Sequence, residues 1–352
     1  MIPKRDKQAA GQRLLSAFRA AGAVEIAPDI LLPAESLLDL YGEDIRARAY
    51  VTADPIRGEM MLRPDFTVPV VQAHMENGAE PARYCYLGEV FRKQDMGETR
   101  PENPRDSEYL QAGFELFTRD PGADAEVFAL FHRLLAPYGL SAETGDMGLL
   151  LDAVRGLPLT APRRDALLHH IWRPGRFQRL LARFSAPVPP RDFPDTGAPW
   201  AGLRDEAEMQ ARIARLCDDM GVAPLPGIWS ERLAQLFALR APAPAAIARL
   251  RDLARDMPAI GKAVARIEAR FAAIEARGIA PEQIVFEASH GRATMEYYDG
   301  FTFSFRAGHT GWPPVASGGR YDALTRVLGK GREIPAIGGI IRAGLIAEME
   351  AI

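Results

Sequence analysis

The sequence predicts an α+β fold: an antiparallel sheet flanked by helices and interrupted by a helical insertion. Strand-like runs with turn chemistry occupy the chain up to residue 118. Ala/Leu/Arg-rich helical runs then fill 148–278, and aromatic and β-branched strand runs return after Gly278. Strands, helices, then strands again is the order expected of one sheet with a helical segment inserted into it. The implied division is 1–147 for the first part of the core, 148–278 for the insertion and 279–352 for the second part of the core.

In chain order, "MIPKRDKQAAGQRLLSAFRAAGA" places Leu14, Leu15, Phe18 and Ala21 at helical spacing and lacks the continuous apolar segment of a signal peptide. "VEIAPDILLPAESLLDLYG" starts extended, turns at Pro33 and enters a short helix from Glu35. "RARAYVTADPIRGEMMLRPD" reads as two strands, with Asp54–Pro55 and Arg57–Gly58 as the turn between them. "TVPVVQAHMENG" is a helix closed by Gly78. "ARYCYLGEVFRK" and "SEYLQAGFELFT" are strands, the first ending in an exposed arginine, Arg92; a polar Gly/Pro loop over 94–106 separates them. "ADAEVFALFHRLLAPYG" is a helix with Val127, Leu130, Leu134 and Leu135 on one side.

The insertion comprises "LLLDAVRGLPL", "RRDALLHHIWRPGRFQRLLARF", "DEAEMQARIARLCDDMG", "ERLAQLFALRA" and "AAIARLRDLARDM", with a Pro/Gly loop at 187–200. In its last helix Ile260, Val264, Ile267, Phe271 and Ile274 form one apolar seam, read as core packing with a partner surface as the alternative. "QIVFEA", "TMEYYDG" and "FTFSFRA" are strands, with Asp299–Gly300 as a hairpin turn.

Composition narrows the function. The chain has 352 residues, 47% hydrophobic and 25% charged, as for a globular protein with a sizeable core. A net charge of −3 sets up no global field toward nucleic acid or an anionic membrane, and no apolar run is long enough to span one. Cys85 and Cys217 lie far apart, which excludes a disulfide framework and a cysteine zinc site and fits a reducing, cytoplasmic setting. The phosphate-loop, HExxH and GxSxG motifs are absent. The six histidines are scattered, and the adjacent His169 and His170 diverge by about 100° on a helix, so no metal site is expected.

"LRPDFTVPVVQAHMENG", "YCYLGEVFRKQ", "EYLQAGFELF" and "SGGRYDALTRVLG…IPAIGG" occur in that order. Together they resemble the core of the class II aminoacyl-tRNA synthetases, and within that class the histidyl enzyme. More closely, the chain resembles the histidyl-synthetase-like regulatory subunits of short-form ATP phosphoribosyltransferase, through "GEDIRARAYVTADP…LRPDFT" and the stop at Ile352 soon after the last motif. The resemblance covers about 8–145 and 280–350, the helical middle matching by position only. It implies a class II synthetase-like fold, a homodimer through the core, a hetero-oligomer with the short catalytic subunit, and histidine as effector. It implies no cofactor, no metal, no nucleic acid and no membrane. No anticodon-binding domain fits after the last motif, so tRNA reading is not expected.

Carried over position by position, the family's amino-acid pocket falls on Asp65, Thr67, Arg92, Gln111, Glu115 and Tyr298, with Arg320 and Tyr321 as candidates on a pocket loop. The chemistry suits free histidine. Asp65 and Glu115 can meet the ammonium or an imidazole N–H, Arg92 and Gln111 can hold the carboxylate, and Tyr298 can wall the ring. Gln111 and Glu115 stand four apart on a strand and so share a face. Structural alternatives remain. Asp65 could cap the following helix, Glu115 could belong to an internal ion pair, and one of Tyr297 and Tyr298 should point away and simply pack. The glycines of "SGGRYD" serve either a tight turn into a helix or a ligand-facing loop.

Amino-acid activation needs cations around the ATP phosphates, and losing one preorganised donor costs about 3–4 kcal/mol. Leu345 stands where the resembled family has its motif-three arginine. Ala293 stands where the histidyl family's own second arginine lies, with Arg292 one place off, and Gln94 replaces an acidic residue. The expectation is a subunit without catalytic residues of its own that senses histidine. An active class II ligase and a histidine-blind activating scaffold are the alternatives.

Overall fold

Strand pairing gathers sequence-distant runs into one mixed sheet, and that sheet positions everything that follows. The computed structural model describes residues 2–34, 47–93, 107–194, 205–292, 297–309 and 311–351. The expected helix from Glu35, the loop at 94–106, the end of the loop at 187–200, and positions 94 and 293–296 lie outside the described residues.

Helix α1 (Lys4–Ala20) buries Ala10, Gly11, Leu14, Leu15 and Phe18 along one stripe. Strands β1 (Val24–Glu25), β2 (Leu31–Pro33), β3 (Val51–Asp54) and β4 (Gly58–Leu62) follow. The β3–β4 turn is the expected one, because the Asp54 carboxylate accepts the backbone N–H groups of Ile56 and Arg57. Helix α2 (Thr67–Asn77) ends at Gly78, whose φ of −65° is not left-handed. Strands β5 (Ala82–Phe91) and β6 (Glu108–Phe117) pair along their whole ten-residue lengths. Helix α3 (Ala123–Leu135) buries Val127, Leu130 and Leu135.

Strand β7 (Ser141–Asp146) opens the inserted region, followed by helices α4 (Met147–Arg155), α5 (Ala161–His169), α6 (Pro174–Phe184), α7 (Glu206–Met220) and α8 (Gly227–Phe237). The helical run over 163–184 comprises α5 and α6, with Pro174 opening the second, as suits a residue without a backbone N–H. Then come strand β8 (Arg240–Pro242), helices α9 (Ala243–Asp256) and α10 (Gly261–Glu275), and strands β9 (Ile284–Glu287), β10 (Phe301–Arg306) and β11 (Ala316–Arg320). Helix α11 (Asp322–Leu328), strand β12 (Ala336–Arg342) and helix α12 (Ala343–Glu350) complete the chain.

The nine-stranded sheet runs β1-β5-β6-β12-β11-β10-β7-β9-β8, and β2-β4-β3 is a separate small sheet. Neighbours in the large sheet are antiparallel except β1–β5 and β7–β9. The seam from Ile260 to Ile274 is buried throughout, so it packs in the core. One face of the sheet carries α1, α3, α12 and the inserted helices α4, α5, α6, α8, α9 and α10 on a common apolar cluster. The other face carries α2, α11 and the small sheet around Phe66, Tyr86, Tyr297, Tyr298 and Tyr321. Because side chains alternate along β6, Ala112, Phe114 and Leu116 enter the first cluster while Gln111 and Glu115 face the second.

Several expectations are corrected. Residues 297–300 are not a strand, and Asp299–Gly300 is not a hairpin turn. The Asp299 carboxylate instead accepts the backbone N–H groups of Asp322 and Ala323 at the start of α11. Ser317, Gly318 and Gly319 lie in neither a turn nor a loop but in β11, between β10 and β12. A Cβ at Gly318 would run into the Gly338 carbonyl, so close strand approach demands glycine there.

Candidate ligand-binding site

The second face of the sheet opens into a cavity of about 320 Å³. The N-terminal turn of α2 brings Asp65 and Thr67 to it, the end of β5 brings Arg92, β6 brings Gln111, and the segment before β10 brings Tyr298. Five of the six expected residues therefore share one cavity wall. Glu115, fully buried, lies beneath it.

Glu115 is held by hydroxyls rather than by an internal ion pair. Its Oε1 accepts from Thr67 Oγ1 at 3.1 Å and Tyr86 OH at 3.0 Å, and its Oε2 accepts from Tyr321 OH at 2.6 Å. Burial pushes the carboxyl from an ordinary 4.5 up to about 7, while the three hydroxyl bonds pull it down. A raised folded pKa contributes stability that is fully present below pH 4.5 and is lost as the pH climbs through 7. Glu115→Gln should therefore gain on the native protein by about 3 kcal/mol between pH 4.5 and pH 8. Urea unfolding at both pH values checks this, and parallel curves for the two proteins would refute it.

Asp65 faces both the start of α2 and the cavity. Its Oδ1 accepts the Val68 N–H at 3.4 Å, a long helix-start contact, and its Oδ2 accepts from Tyr297 OH at 3.1 Å at the cavity. Arg92 is not an exposed strand end. It is half-buried, and its Nε donates to the Pro64 carbonyl at 2.7 Å. Tyr297 and Tyr298 both line the cavity, ring centroids 5.0 Å apart, because irregular backbone frees them from strand alternation. Gln111 is 2% exposed, and its Oε1 is buried with no hydrogen-bond partner. Such an acceptor in a cavity wall is open to a donor from a ligand or from water.

The two loop candidates stand elsewhere. Tyr321 is buried, outside the cavity lining, and meets the site through its bond to Glu115 and its edge-on contact with the Tyr297 ring. Arg320 turns away into ion pairs, Nη2 to Asp124 at 2.6 Å and Nη1 to Asp322 at 3.1 Å.

The far half of the cavity was not anticipated. Arg48, His290, Thr302, Ser304, Arg306, Trp312, Ser317 and Arg342 line it. Part of it was readable in "FTFSFR", where Thr302, Ser304 and Arg306 alternate with buried phenylalanines. His290 bridges two of these, Nδ1 to Thr302 Oγ1 at 2.8 Å and Nε2 to Ser304 Oγ at 2.9 Å. Burial lowers its pKa to about 4, so the imidazole is neutral. The cations here are already engaged: Arg306 Nε donates to Glu143 at 2.8 Å, and Arg342 donates to the Pro314 carbonyl and lies 5.6 Å from the Tyr109 ring.

Of the positions weighed against activation chemistry, Leu345 is buried in α12. Arg292 does not reach the cavity lining. Its Nε donates to the Ile171 carbonyl at 2.6 Å, and its guanidinium lies against the rings of both Phe177 and Phe237. Among the described residues no cluster of His, Cys, Asp and Glu is arranged to hold a metal ion, and no helix is long and apolar enough to cross a membrane.

A family model described as histidyl-tRNA synthetase matches residues 4–183 and 209–342. The ATP phosphoribosyltransferase regulatory subunit of Mesorhizobium japonicum is 34% identical over 355 residues, spanning 92% of this chain and 92% of that protein. The regulatory subunit of the same name from Agrobacterium fabrum is 32% identical over 358 residues, with 92% of each chain covered. Among solved structures, an ATP phosphoribosyltransferase regulatory subunit/histidyl-tRNA synthetase from Bacillus halodurans superposes with a TM-score of 0.72 at 22% identity, covering 99% of this chain and 80% of that one. Histidyl-tRNA synthetase from Nostoc sp. PCC 7120 gives a TM-score of 0.66 at 15% identity, covering 99% and 73%. At these identities the structural likeness establishes the class II synthetase-like fold.

Proposed function

The chain belongs to the histidyl-tRNA synthetase family, among the ATP phosphoribosyltransferase regulatory subunits, and from that premise we propose that it senses histidine without catalysing a reaction itself. In this reading it joins the short catalytic subunit that condenses ATP with phosphoribosyl pyrophosphate, the first step of histidine biosynthesis. It forms a homodimer through its class II core and relays feedback inhibition by the end product.

The observation that carries the reading is the buried, unpartnered Oε1 of Gln111 beside Asp65 and Arg92 in one cavity. A free amino acid supplies what that wall lacks. Its ammonium donates to Gln111 Oε1 and the Asp65 carboxylate, its carboxylate takes the Arg92 guanidinium, and the imidazole packs on Tyr298 with an N–H toward the Thr67–Glu115 pair. Buried Leu345, and Arg292 tied to the Ile171 carbonyl against Phe177 and Phe237, speak against the alternative of an active ligase. Histidine then biases the assembly only as far as it binds the less active state more tightly, and the catalytic substrates oppose it by the same factor.

Calorimetry with histidine tests the site. Native protein should bind it, and Gln111→Ala should bind roughly 10–100-fold more weakly, as expected for loss of a hydrogen bond to a charged group. Absence of heat with the native protein, alone and with the catalytic subunit, overturns the sensing reading. Histidine-dependent ATP–pyrophosphate exchange by the purified chain overturns the non-catalytic one.

A further inference from the structure

Between the end of β9 and position 292 the chain alternates between two neighbourhoods. Ala288 N–H donates to the Leu239 carbonyl at 3.0 Å, and Ser289 Oγ donates to the Phe237 carbonyl, both at the end of α8. The next two residues, His290 and Gly291, line the cavity. Gly291 has φ +87°, and a Cβ there would stand 2.7 Å from the Thr302 side chain, so the backbone is pressed against β10. Arg292 then returns to the insertion. Besides its bond to the Ile171 carbonyl between α5 and α6, its guanidinium carbon sits 4.7 Å from the Phe177 ring and 4.4 Å from the Phe237 ring. Those rings belong to α6 and α8 and meet edge to face, centroids 5.4 Å apart.

We propose that Ser289 and Arg292 are positioning residues that couple the cavity wall at His290–Gly291 to α5, α6 and α8, so that filling the cavity is transmitted to the inserted helices. The inference deepens the histidine-sensing reading and rests on it for the identity of the ligand. Its physical basis is the shortness of the segment. With Ser289 and Arg292 pinned on either side, His290 and Gly291 cannot shift against Thr302 and Ser304 without moving those anchors, because a close-packed interior transmits displacement. The Arg292 anchor rests on its Nε bond to the Ile171 carbonyl, since its Nη2 is buried without a partner. A residue that merely glued the insertion together would have no reason to alternate with cavity-lining neighbours.

Hydrogen exchange of the full chain, with and without histidine, tests the coupling on native protein, Arg292→Met and Arg292→Lys. Methionine keeps contact with the two phenylalanines but loses the bond to Ile171, while lysine retains a donor and a cation. In native protein, histidine should slow exchange in β6 and α2 and also in α6 and α8. In Arg292→Met the protection of β6 and α2 should remain, with histidine affinity within roughly threefold of native, while that of α6 and α8 disappears. Lysine should restore it. Without ligand, Arg292→Met should speed exchange over 288–292 by roughly tenfold or more. Retained α6 and α8 protection in Arg292→Met, or a native response confined to β6 and α2, overturns the coupling. If native protein binds no histidine by calorimetry, the sensing reading fails by itself, and the ligand-free comparison still decides: unchanged exchange over 288–292 overturns the coupling.

Discussion

Gly338→Ala is expected to destabilise the protein by about 2–6 kcal/mol, seen as a lower urea midpoint with an unchanged slope. Gly338 in β12 stands directly opposite Glu115 in β6. A Cβ at 338 would overlap Glu115 Oε2 and stand 2.8 Å from the Phe114 carbonyl oxygen. Neither neighbour can yield cheaply. The carbonyl is part of the sheet ladder, and the carboxylate is tied to Thr67, Tyr86 and Tyr321. Overpacking alone costs about 1–3 kcal/mol, and prying the carboxylate from its hydroxyls leaves buried polar groups unpaired at about 1–3 kcal/mol more. Pairing Gly338→Ala with Glu115→Ala isolates the cause. The double variant should lose less than the sum of the single losses, because the carboxylate that clashes is gone. Additive losses would show that the overlap with Glu115 is not what matters.

The same pairing explains what was legible in the sequence and what was not. Strands β5 and β6 were readable because β-branched and aromatic residues bounded by turn residues give a local pattern, and the face shared by Gln111 and Glu115 followed from their spacing. Strand β7 was not, because "SAETGD" is polar yet buried. Its Glu143 is neutralised by Arg240 and Arg306, and its Asp146 lies against Arg270, partners that are remote in sequence. In 297–300 the aromatic residues suggested a strand, but Asp299 is committed to the start of α11, which holds the backbone out of the sheet. The near half of the cavity lies on motif residues between 65 and 111, together with Tyr298. In the far half the alternation of "FTFSFR" was local, but its meeting with Arg48, His290, Trp312, Ser317 and Arg342 depends on remote segments coming together.

Arg270→Met should cost about 3–5 kcal/mol at neutral pH, and the deficit should shrink as the solution is acidified. Arg270 projects from α10 to the sheet, Nε donating to Asp124 Oδ2 at 2.8 Å and Nη2 standing 2.9 Å from Asp146 Oδ2, with the guanidinium 4.5 Å from the Phe301 ring. Asp124 also receives Arg320. Two carboxylates and two guanidiniums thus join α3, β7, α10 and β11 in the interior. Methionine fills much of the vacated volume, but Asp146 loses the cation beside it and Asp124 keeps only Arg320, which is the costly way to break a buried network. Burial by itself would raise the Asp124 carboxyl. The Arg270 guanidinium, then that of Arg320, outweighs it and holds the group below its ordinary 3.8. A depressed folded pKa contributes stability that is present above 3.8 and lost as the pH falls through the folded value. Without Arg270 the Asp124 pKa rises, so acid removes less from the variant than from native protein, and the urea midpoints should converge from pH 7 toward pH 3. A gap that stays constant across that range would mean that the loss comes from packing against Phe301 and not from charge.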